Sequence, residues 1–259
     1  MTIDRIGFFH FGSVDTEVFN PVKSLERAME EAKQKYGCLR GCLVVIPEAF
    51  NIPKDYHGKS KVKPDPSVRP ALVELSERFD VAFVAGLIED DDKSGAPGFS
   101  SAYLIHGDMC ELLSRKTTQD CFNDNVPRYT LSQPCDKAIY YGGICMGVLI
   151  CRDAGEPSNK GTAKQRFDAL KSARDLHRSV LKRISECKTS TATRSLLCIP
   201  ARMNHTGPAA VAAGLCELDS EIAVVVGNAH ASHKSVIRFA NREEFTSENT
   251  DEVRVEPWR

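Results

Sequence analysis

Short apolar runs, rich in β-branched residues, are the feature that most restricts how this chain can fold. In Cys42–Ile46 (CLVVI) no polar side chain alternates with the apolar ones. A strand of this kind is covered on both faces, as in a sheet that lies between two other layers. Further strands are predicted at Val81–Ile88, Ile144–Ile150, Ser195–Ile199 and Ile222–Val226.

Helical patterns separate the first of these runs. Asn20-Pro21 predicts a helix start, because asparagine caps free N–H groups and proline suits the first helical position. Gly37 predicts its end. Further helices are predicted at Arg69–Phe79 and at 162–187. Shorter strands are predicted at Ile3–Phe11, Ser101–Ile105, Glu111–Arg115, Ala138–Tyr141 and Ser235–Phe239. Helices alternating with buried strands indicate a layered α/β fold.

Composition excludes several classes of partner. The formal net charge is −1, so no basic field is present to hold nucleic acid or an anionic membrane. The longest uncharged run, Ala138–Cys151, is too short to span a bilayer, and the first residues lack the pattern of a signal peptide. Ten cysteines without a secretory signal indicate reduced thiols. We therefore expect a cytoplasmic protein, and no linker divides residues 1–259 into separate domains.

Three segments share one design, an apolar strand followed by a reactive side chain. CLVVIPEAF reaches Glu48, ELLSRKT reaches Lys116 and GVLICRD reaches Cys151. If the three strands are neighbours in one sheet, a carboxylate, an ammonium and a thiol meet at its carboxyl edge, where α/β folds usually bind ligands. A carboxylate whose pKa is raised by burial can take the thiol proton. The ammonium and the N–H of Arg152 can then stabilise an oxyanion.

Each of these residues has an ordinary structural explanation when it is taken alone. Glu48 would be a solvated strand end, Lys116 a surface residue and Cys151 a small buried hydrophobe. Their coincidence, in three segments of one design, favours a reactive site. A cysteine–histidine hydrolase with His205 or His230 as the base is the rival mechanism, although neither histidine lies in a protease signature.

The PEAF, SRKT and C-R-D-x-x-x-P stretches resemble the three signature segments of the nitrilase, or carbon–nitrogen hydrolase, superfamily. Their order and their spacing match, and LSERFDVAFVAGLIEDD is similar to the helix and strand that the family places between its glutamate and its lysine. The resemblance covers most of residues 3–157. It implies a four-layer α-β-β-α sandwich that hydrolyses amides, nitriles or N-carbamoyl groups through a thioester.

The resemblance also implies a role for each reactive residue. Glu48 corresponds to the general base, Lys116 to the family's lysine and Cys151 to the nucleophile. It further implies a small-molecule substrate and a homo-oligomer, and it implies no cofactor and no metal. The remaining alternatives are an acyltransferase that uses the same thioester and an inactive homologue that serves as a binding module.

Two features depart from the family pattern. Many members carry a second glutamate after the lysine, whereas residues 117–150 contain no glutamate and only the aspartates Asp120, Asp124 and Asp136. The interval between Cys151 and Pro200 is much longer than the family's next strand requires. We therefore expect one domain over 1–259 with an enlarged helical segment at about 158–194.

Residues near the strand ends are candidates for contact with a substrate. They are Phe50, Asn51, Arg202 and Met203. Arg202 follows the strand that ends at Pro200, and its guanidinium could hold a substrate carboxylate. Asp153, two residues after Cys151, is expected to cap a turn or a helix.

Overall fold

The structure is a computed structural model, and it describes residues 1–12, 20–52, 64–90, 97–117, 138–154, 163–188, 194–203, 207–230, 233–239, 241, 243–248 and 250–258. Within these residues the strands form two six-stranded sheets. The strands of the first sheet are β1 (Arg5–His10), β2 (Cys42–Ile46), β3 (Ala82–Asp90), β4 (Pro97–His106), β5 (Met109–Arg115) and β12 (Glu252–Pro257). The strands of the second are β6 (Ala138–Tyr141), β7 (Ile144–Val148), β8 (Arg194–Ala201), β9 (Ile222–Asn228), β10 (Val236–Arg238) and β11 (Glu244–Thr246).

Both sheets are mixed. The first has the order β12-β1-β2-β3-β4-β5 and the second β11-β10-β9-β8-β7-β6. Parallel pairs occupy the centre of each sheet, namely β1 with β2, β2 with β3, β7 with β8 and β8 with β9. At one edge, β12 runs antiparallel to β1 and places Arg5 opposite Pro257. The Trp258 N–H donates to the Asp4 carbonyl at 2.9 Å and extends this pairing.

Four described helices cover the outer faces of the sheets. They are α1 (Pro21–Tyr36), α2 (Val68–Phe79), α3 (Ala163–Cys187) and α4 (Pro208–Leu218). Leu25 and Leu72, from α1 and α2, pack on the outer face of the first sheet. Ile184 and Leu215, from α3 and α4, pack on the second. The predicted α-β-β-α sandwich is therefore confirmed, with helices outside and the two sheets face to face.

Local signals explain where α1 begins and ends. The Asn20 side chain accepts a hydrogen bond from the Lys23 N–H at 3.0 Å, and Pro21 is the first helical residue. Gly37, with φ of 77°, donates its N–H to the Lys33 carbonyl at 2.9 Å. α3 also lies where a long helix is predicted. α4, β11 and β12 lie in segments without a predicted element.

The two sheets meet closely at the carboxyl ends of their central strands. The Glu48 N–H donates to the Ala201 carbonyl at 3.4 Å, and the Phe11 N–H donates to the Asn228 carbonyl at 3.1 Å. A side chain at Gly227 would place its Cβ 2.4 Å from the Val45 carbonyl oxygen, so only glycine permits this approach. Residues that follow strands of either sheet therefore share one rim. No helix among the described residues is long and apolar enough to cross a membrane.

Candidate active site

Glu48 and Lys116 form a buried ion pair at this rim. Glu48 follows β2 and is 4% exposed, and Lys116 follows β5 and is 1% exposed. The Lys116 Nζ donates to Glu48 Oε1 at 2.8 Å. The hydroxyl of Ser100, on β4, donates to the same oxygen at 2.7 Å, and the Ser100 carbonyl accepts the Lys116 N–H at 2.8 Å. One carboxylate oxygen therefore receives both side-chain donors.

Cys151 reaches this carboxylate from the opposite sheet. It lies shortly after β7, and its side chain hydrogen-bonds that of Glu48. The three strands are not neighbours in one sheet. β2 and β5 belong to the first sheet, with β3 and β4 between them, whereas β7 belongs to the second. The three side chains meet because the rims of the two sheets face each other.

The backbone at the site adopts a conformation that is uncommon for residues other than glycine. Ala49, directly after Glu48, has φ of 55°, and Cys151 has φ of 46°. Among the described non-glycine residues, only Asp80 shares this left-handed region. At Cys151 it turns the chain into a single 3-10 turn, Cys151–Asp153, in which Arg152 follows the thiol directly. Such residues persist where surrounding contacts hold them, often at functional sites.

Two opposing effects set the pKa of Glu48. Burial alone would raise it, because a carboxylate loses its hydration. The Lys116 charge, with hydrogen bonds from Lys116, Ser100 and Cys151, outweighs burial and holds the pKa below its ordinary value of 4.5. Burial therefore acts in the expected direction, but the opposing contacts leave the pKa lowered overall. Glu48 is instead an ionised carboxylate at neutral pH, able to accept a proton.

Burial keeps several other thiols protonated at neutral pH. It raises the pKa of Cys42 and of Cys145 to about 12, and it raises the pKa of Cys198 and of Cys216. A thiol in such surroundings stays protonated and is a poor nucleophile. Cys151 differs from these four in its contact with an ionised carboxylate.

Two candidate substrate residues lie beside this carboxylate. Phe50 and Arg202 line a small cavity of about 10 Å³, together with Phe11, Pro47, Glu48, Ala49 and Ala229. The Phe50 ring packs edge-on against Phe9, with centroids 5.9 Å apart. The cavity wall therefore combines aromatic surface with one guanidinium.

The other two candidates hold backbone segments near the site. The Asn51 amide donates to the Ile88 carbonyl and accepts the Ile88 N–H, both at 2.8 Å. Its side chain thus continues the pairing of β3. The Met203 N–H donates to the Asn228 side-chain oxygen at 2.7 Å, which fixes the segment after β8.

Asp153 and His177 were not predicted to act at the site, yet both contact its elements. The Asp153 carboxylate accepts the Thr117 N–H at 3.1 and 3.2 Å and the Thr117 hydroxyl at 3.0 Å. It therefore joins the Cys151 turn to the residue after Lys116. His177, on α3, places Nε2 2.8 Å from the Asp153 carbonyl oxygen. The spacing of Asp153 from Cys151 is a local signal, but nothing in the sequence marks Ser100 or His177.

The remaining predictions concern a second acid, a histidine base and a metal site. The candidate replacements for a second acid, Asp120, Asp124 and Asp136, lie outside the described residues, as does His205. The His230 ring lies 4.8 Å from the His233 ring. Within the described part of the chain, no group of three or more His, Cys, Asp or Glu side chains is arranged to hold a metal ion.

The solved structures similar to this chain include members of the nitrilase superfamily. A mutant of the Nesterenkonia AN1 amidase matches with a TM-score of 0.66 and 14% identity, over 100% of this chain and 92% of that one. A carbon–nitrogen hydrolase from Helicobacter pylori G27 matches with a TM-score of 0.67 and 14% identity, over 96% and 87%. Saccharomyces cerevisiae Nit3, of branch 10 of the superfamily, matches with a TM-score of 0.62 and 19% identity, over 98% and 89%. No family model and no curated protein matches the chain.

Proposed function

We propose that this chain, which has the fold of the nitrilase superfamily, is a hydrolase that cleaves a non-peptide C–N bond of a small molecule. The bond belongs to an amide, an N-carbamoyl group or a nitrile. The observation that carries the proposal is the convergence of three reactive side chains from two sheets. Lys116 Nζ lies 2.8 Å from Glu48 Oε1, and the Cys151 side chain hydrogen-bonds the same carboxylate.

The first half of the reaction forms a thioester. The Glu48 carboxylate takes the thiol proton while the Cys151 sulfur bonds to the amide carbon and the carbonyl electrons move to oxygen. Lys116 has three N–H donors, so it can bind Glu48 and the new oxyanion together, and the Arg152 N–H supplies a second donor. When the oxyanion collapses, the C–N bond breaks and protonated Glu48 gives its proton to the departing amine.

The second half returns the enzyme to its starting state. Glu48, again ionised, takes a proton from water, and the resulting hydroxide attacks the thioester carbon. The C–S bond breaks, the acid leaves and the sulfur recovers its proton from Glu48. Glu48 is ionised at neutral pH, because the Lys116 charge and the hydrogen bonds to its carboxylate hold its pKa below the ordinary value, and the carboxylate can therefore accept the proton.

Substrate contact is assigned to Phe50 and Arg202, which line the cavity beside Glu48. The Phe50 ring would cover an apolar part of the substrate, and the Arg202 guanidinium would bind a carboxylate, as in N-carbamoyl amino acids. Arg202→Gln should then raise KM for carboxylated substrates and leave KM for neutral analogues unchanged. Equal effects on both groups of substrates would exclude a carboxylate clamp.

Site-resolved alkylation tests the nucleophile without knowledge of the substrate. Iodoacetamide is added over a pH series, and each of the ten cysteines is followed by peptide mass spectrometry. Cys151 should react far faster than Cys42, Cys145 and Cys198, whose thiol pKa values are raised by burial. Acrylamide is a second probe, because it adds to the active-site cysteine of a mutant of the Nesterenkonia amidase.

Two glutamate variants make the test specific. Glu48→Gln should remove the kinetic advantage of Cys151, and turnover of a substrate should fall by about 10²–10⁴-fold, the usual contribution of general acid–base catalysis. Glu89 is a glutamate paired with Arg115, and Glu89→Gln should leave both the Cys151 rate and the turnover unchanged. If Cys151 reacts no faster than the buried thiols in the wild type, the hydrolase proposal fails and a binding module is favoured. An added amine that captures the acyl group would identify a transferase instead.

A further inference from the structure

The Asp153 carboxylate connects the two sides of the site. Asp153 belongs to the turn that carries Cys151, which follows a strand of the second sheet. Its partner Thr117 comes directly after Lys116, which follows β5 of the first sheet, and it gives both its N–H and its hydroxyl to the carboxylate. Asp153 is 2% exposed, so water does not compete for these bonds. A shift of the Cys151 turn relative to Lys116 would break them.

His177 holds the same turn from the other side. Its Nε2 lies 2.8 Å from the Asp153 carbonyl oxygen, which can only accept a hydrogen bond. The ring must therefore carry a proton on Nε2 and donate it. Burial lowers the pKa of His177, so the ring is neutral at physiological pH and keeps this donor.

The position of His177 is fixed by the packing of α3. Gly147, on β7, has no side chain, and a Cβ added there would lie 2.8 Å from Val180 and 2.9 Å from Ile184. Both residues are fully buried, and they follow His177 at intervals of three and seven on the same face of the helix. α3 therefore rests directly on the strand that leads to Cys151, and it presents His177 to the end of the turn.

We propose that His177 and Asp153 are positioning residues that hold the Cys151 turn against Glu48 and Lys116. This inference rests on the proposed function. The left-handed φ of 46° at Cys151 is unfavourable for a residue with a Cβ and needs external contacts to persist. The internal bonds of the turn are Asp153 N–H to Ile150 and Ala154 N–H to Cys151, and neither reaches the first sheet or α3. The Asp153 carboxylate reaches Thr117, beside the first sheet, and the Asp153 carbonyl is bound by His177 of α3. In this proposal α3, the long helix between Cys151 and Pro200, supports the active site through His177.

Alkylation of Cys151 by iodoacetamide over a pH series tests the proposal in the full chain. Asp153→Asn and His177→Leu should each slow the reaction by about 10-fold to 10²-fold, since displacements of about 1 Å have effects of this size. His177→Gln should restore most of the rate, because the glutamine amide can donate from nearly the same place. Thr117→Val, a milder change, should slow Cys151 without unfolding the chain.

A matched control separates positioning from general stability. Asp65 accepts the N–H and the hydroxyl of Ser67 at 2.9 and 2.7 Å before α2, the same pair of bonds that Asp153 makes with Thr117. Asp65→Asn should leave Cys151 alkylation unchanged, and urea unfolding of all the variants measures the loss of stability that accompanies each change in rate. Wild-type rates in folded Asp153→Asn, His177→Leu and Thr117→Val would overturn the positioning role alone. An unreactive Cys151 in the wild type would overturn this inference together with the proposed function.

Discussion

The first sheet carries two glutamate clusters, each with a serine and a cation, on opposite faces. The inner cluster consists of Glu48, Ser100 and Lys116, and the outer cluster consists of Glu89, Ser101 and Arg115. The serines are neighbours in the chain, and so are the two cations. Successive side chains of a strand point to opposite faces. Ser100 and Lys116 therefore face the second sheet, whereas Ser101 and Arg115 face outward.

The clusters differ in how the cation binds its carboxylate. Arg115 donates from Nε to Glu89 Oε1 at 3.0 Å and from Nη2 to Oε2 at 2.9 Å, and the Tyr103 hydroxyl adds a bond at 3.1 Å. The planar fork of arginine thus engages both oxygens. Lys116 and Ser100 both donate to Oε1 of Glu48, so neither engages Oε2. The two clusters therefore differ in the geometry of the cation and in the Cys151 thiol that contacts Glu48.

The largest expected contrast is in the free energy of unfolding when each cation is removed. Lys116→Met leaves the buried Glu48 carboxylate without its counter-charge, which costs about 3–5 kcal/mol. Arg115→Met breaks a pair whose side chains are 35% and 19% exposed, so the cost is about 1 kcal/mol or less. Urea unfolding of both variants measures the difference. Equal losses would mean that burial does not distinguish the clusters.

A smaller contrast concerns the serines and depends on pH. The Ser100 hydrogen bond helps to lower the pKa of Glu48, so Ser100→Ala should raise that pKa toward its ordinary value. In the wild type the lowered pKa stabilises the fold fully above the unfolded pKa, about 4.3, and this contribution is lost as pH falls through the lowered folded value. Ser100→Ala should thus lower stability by about 1.5–3 kcal/mol near neutral pH, and the deficit should shrink in acid.

Ser101→Ala is the control for this measurement. Its hydroxyl donates to Glu89, so it removes a serine–glutamate bond from the adjacent position without touching Glu48. Urea unfolding of the two variants from neutral pH to about pH 3 compares them. A deficit in Ser100→Ala that stays constant over this range would contradict the assigned effect of Ser100 on Glu48.

The smallest contrast in stability concerns two glycines that lie against the two glutamates. A Cβ at Gly86 would lie 2.6 Å from Glu48 Cα, and one at Gly98 would lie 2.1 Å from the Glu89 carbonyl oxygen. Gly86→Ala and Gly98→Ala should each cost about 1–3 kcal/mol, as overpacking usually does. Only Gly86→Ala should also slow Cys151 alkylation, because it displaces Glu48, the proposed base. Equal rates in both variants would argue against a requirement for the Glu48 position.

Local patterns predicted most elements of the fold. The apolar run Cys42–Ile46 and the capping residues of α1 act over a few neighbours, so the sequence carries them directly. α4 (PAAVAAGLCEL) has almost no polar residue before its last turn, and therefore no periodic stripe marks it. In β12 (EVRVEP), polar residues alternate with the buried Val253 and Val255, and this alternation is a recognisable strand pattern.

The site could be predicted only in part, because its remaining features depend on contacts between distant segments. The three reactive residues follow recognisable strands, but no local pattern says which sheet a strand joins. The direction of the Glu48 pKa shift depends on the 2.8 Å distance to Lys116, which only the assembled rim sets. His177 lies in a helix with many charged residues, where a sequence pattern indicates a solvated face.

The pairing of β1 with β12 has a consequence for biosynthesis. Most of the chain separates these strands, although Arg5 and Pro257 lie side by side in the sheet. A ribosome makes β1 long before β12, so the nascent chain displays one unpaired edge of Ile6–Phe9 throughout most of translation. An open apolar edge of this kind can recruit another chain. Folding of the first sheet must therefore finish after translation of β12, and truncations before Glu252 should aggregate.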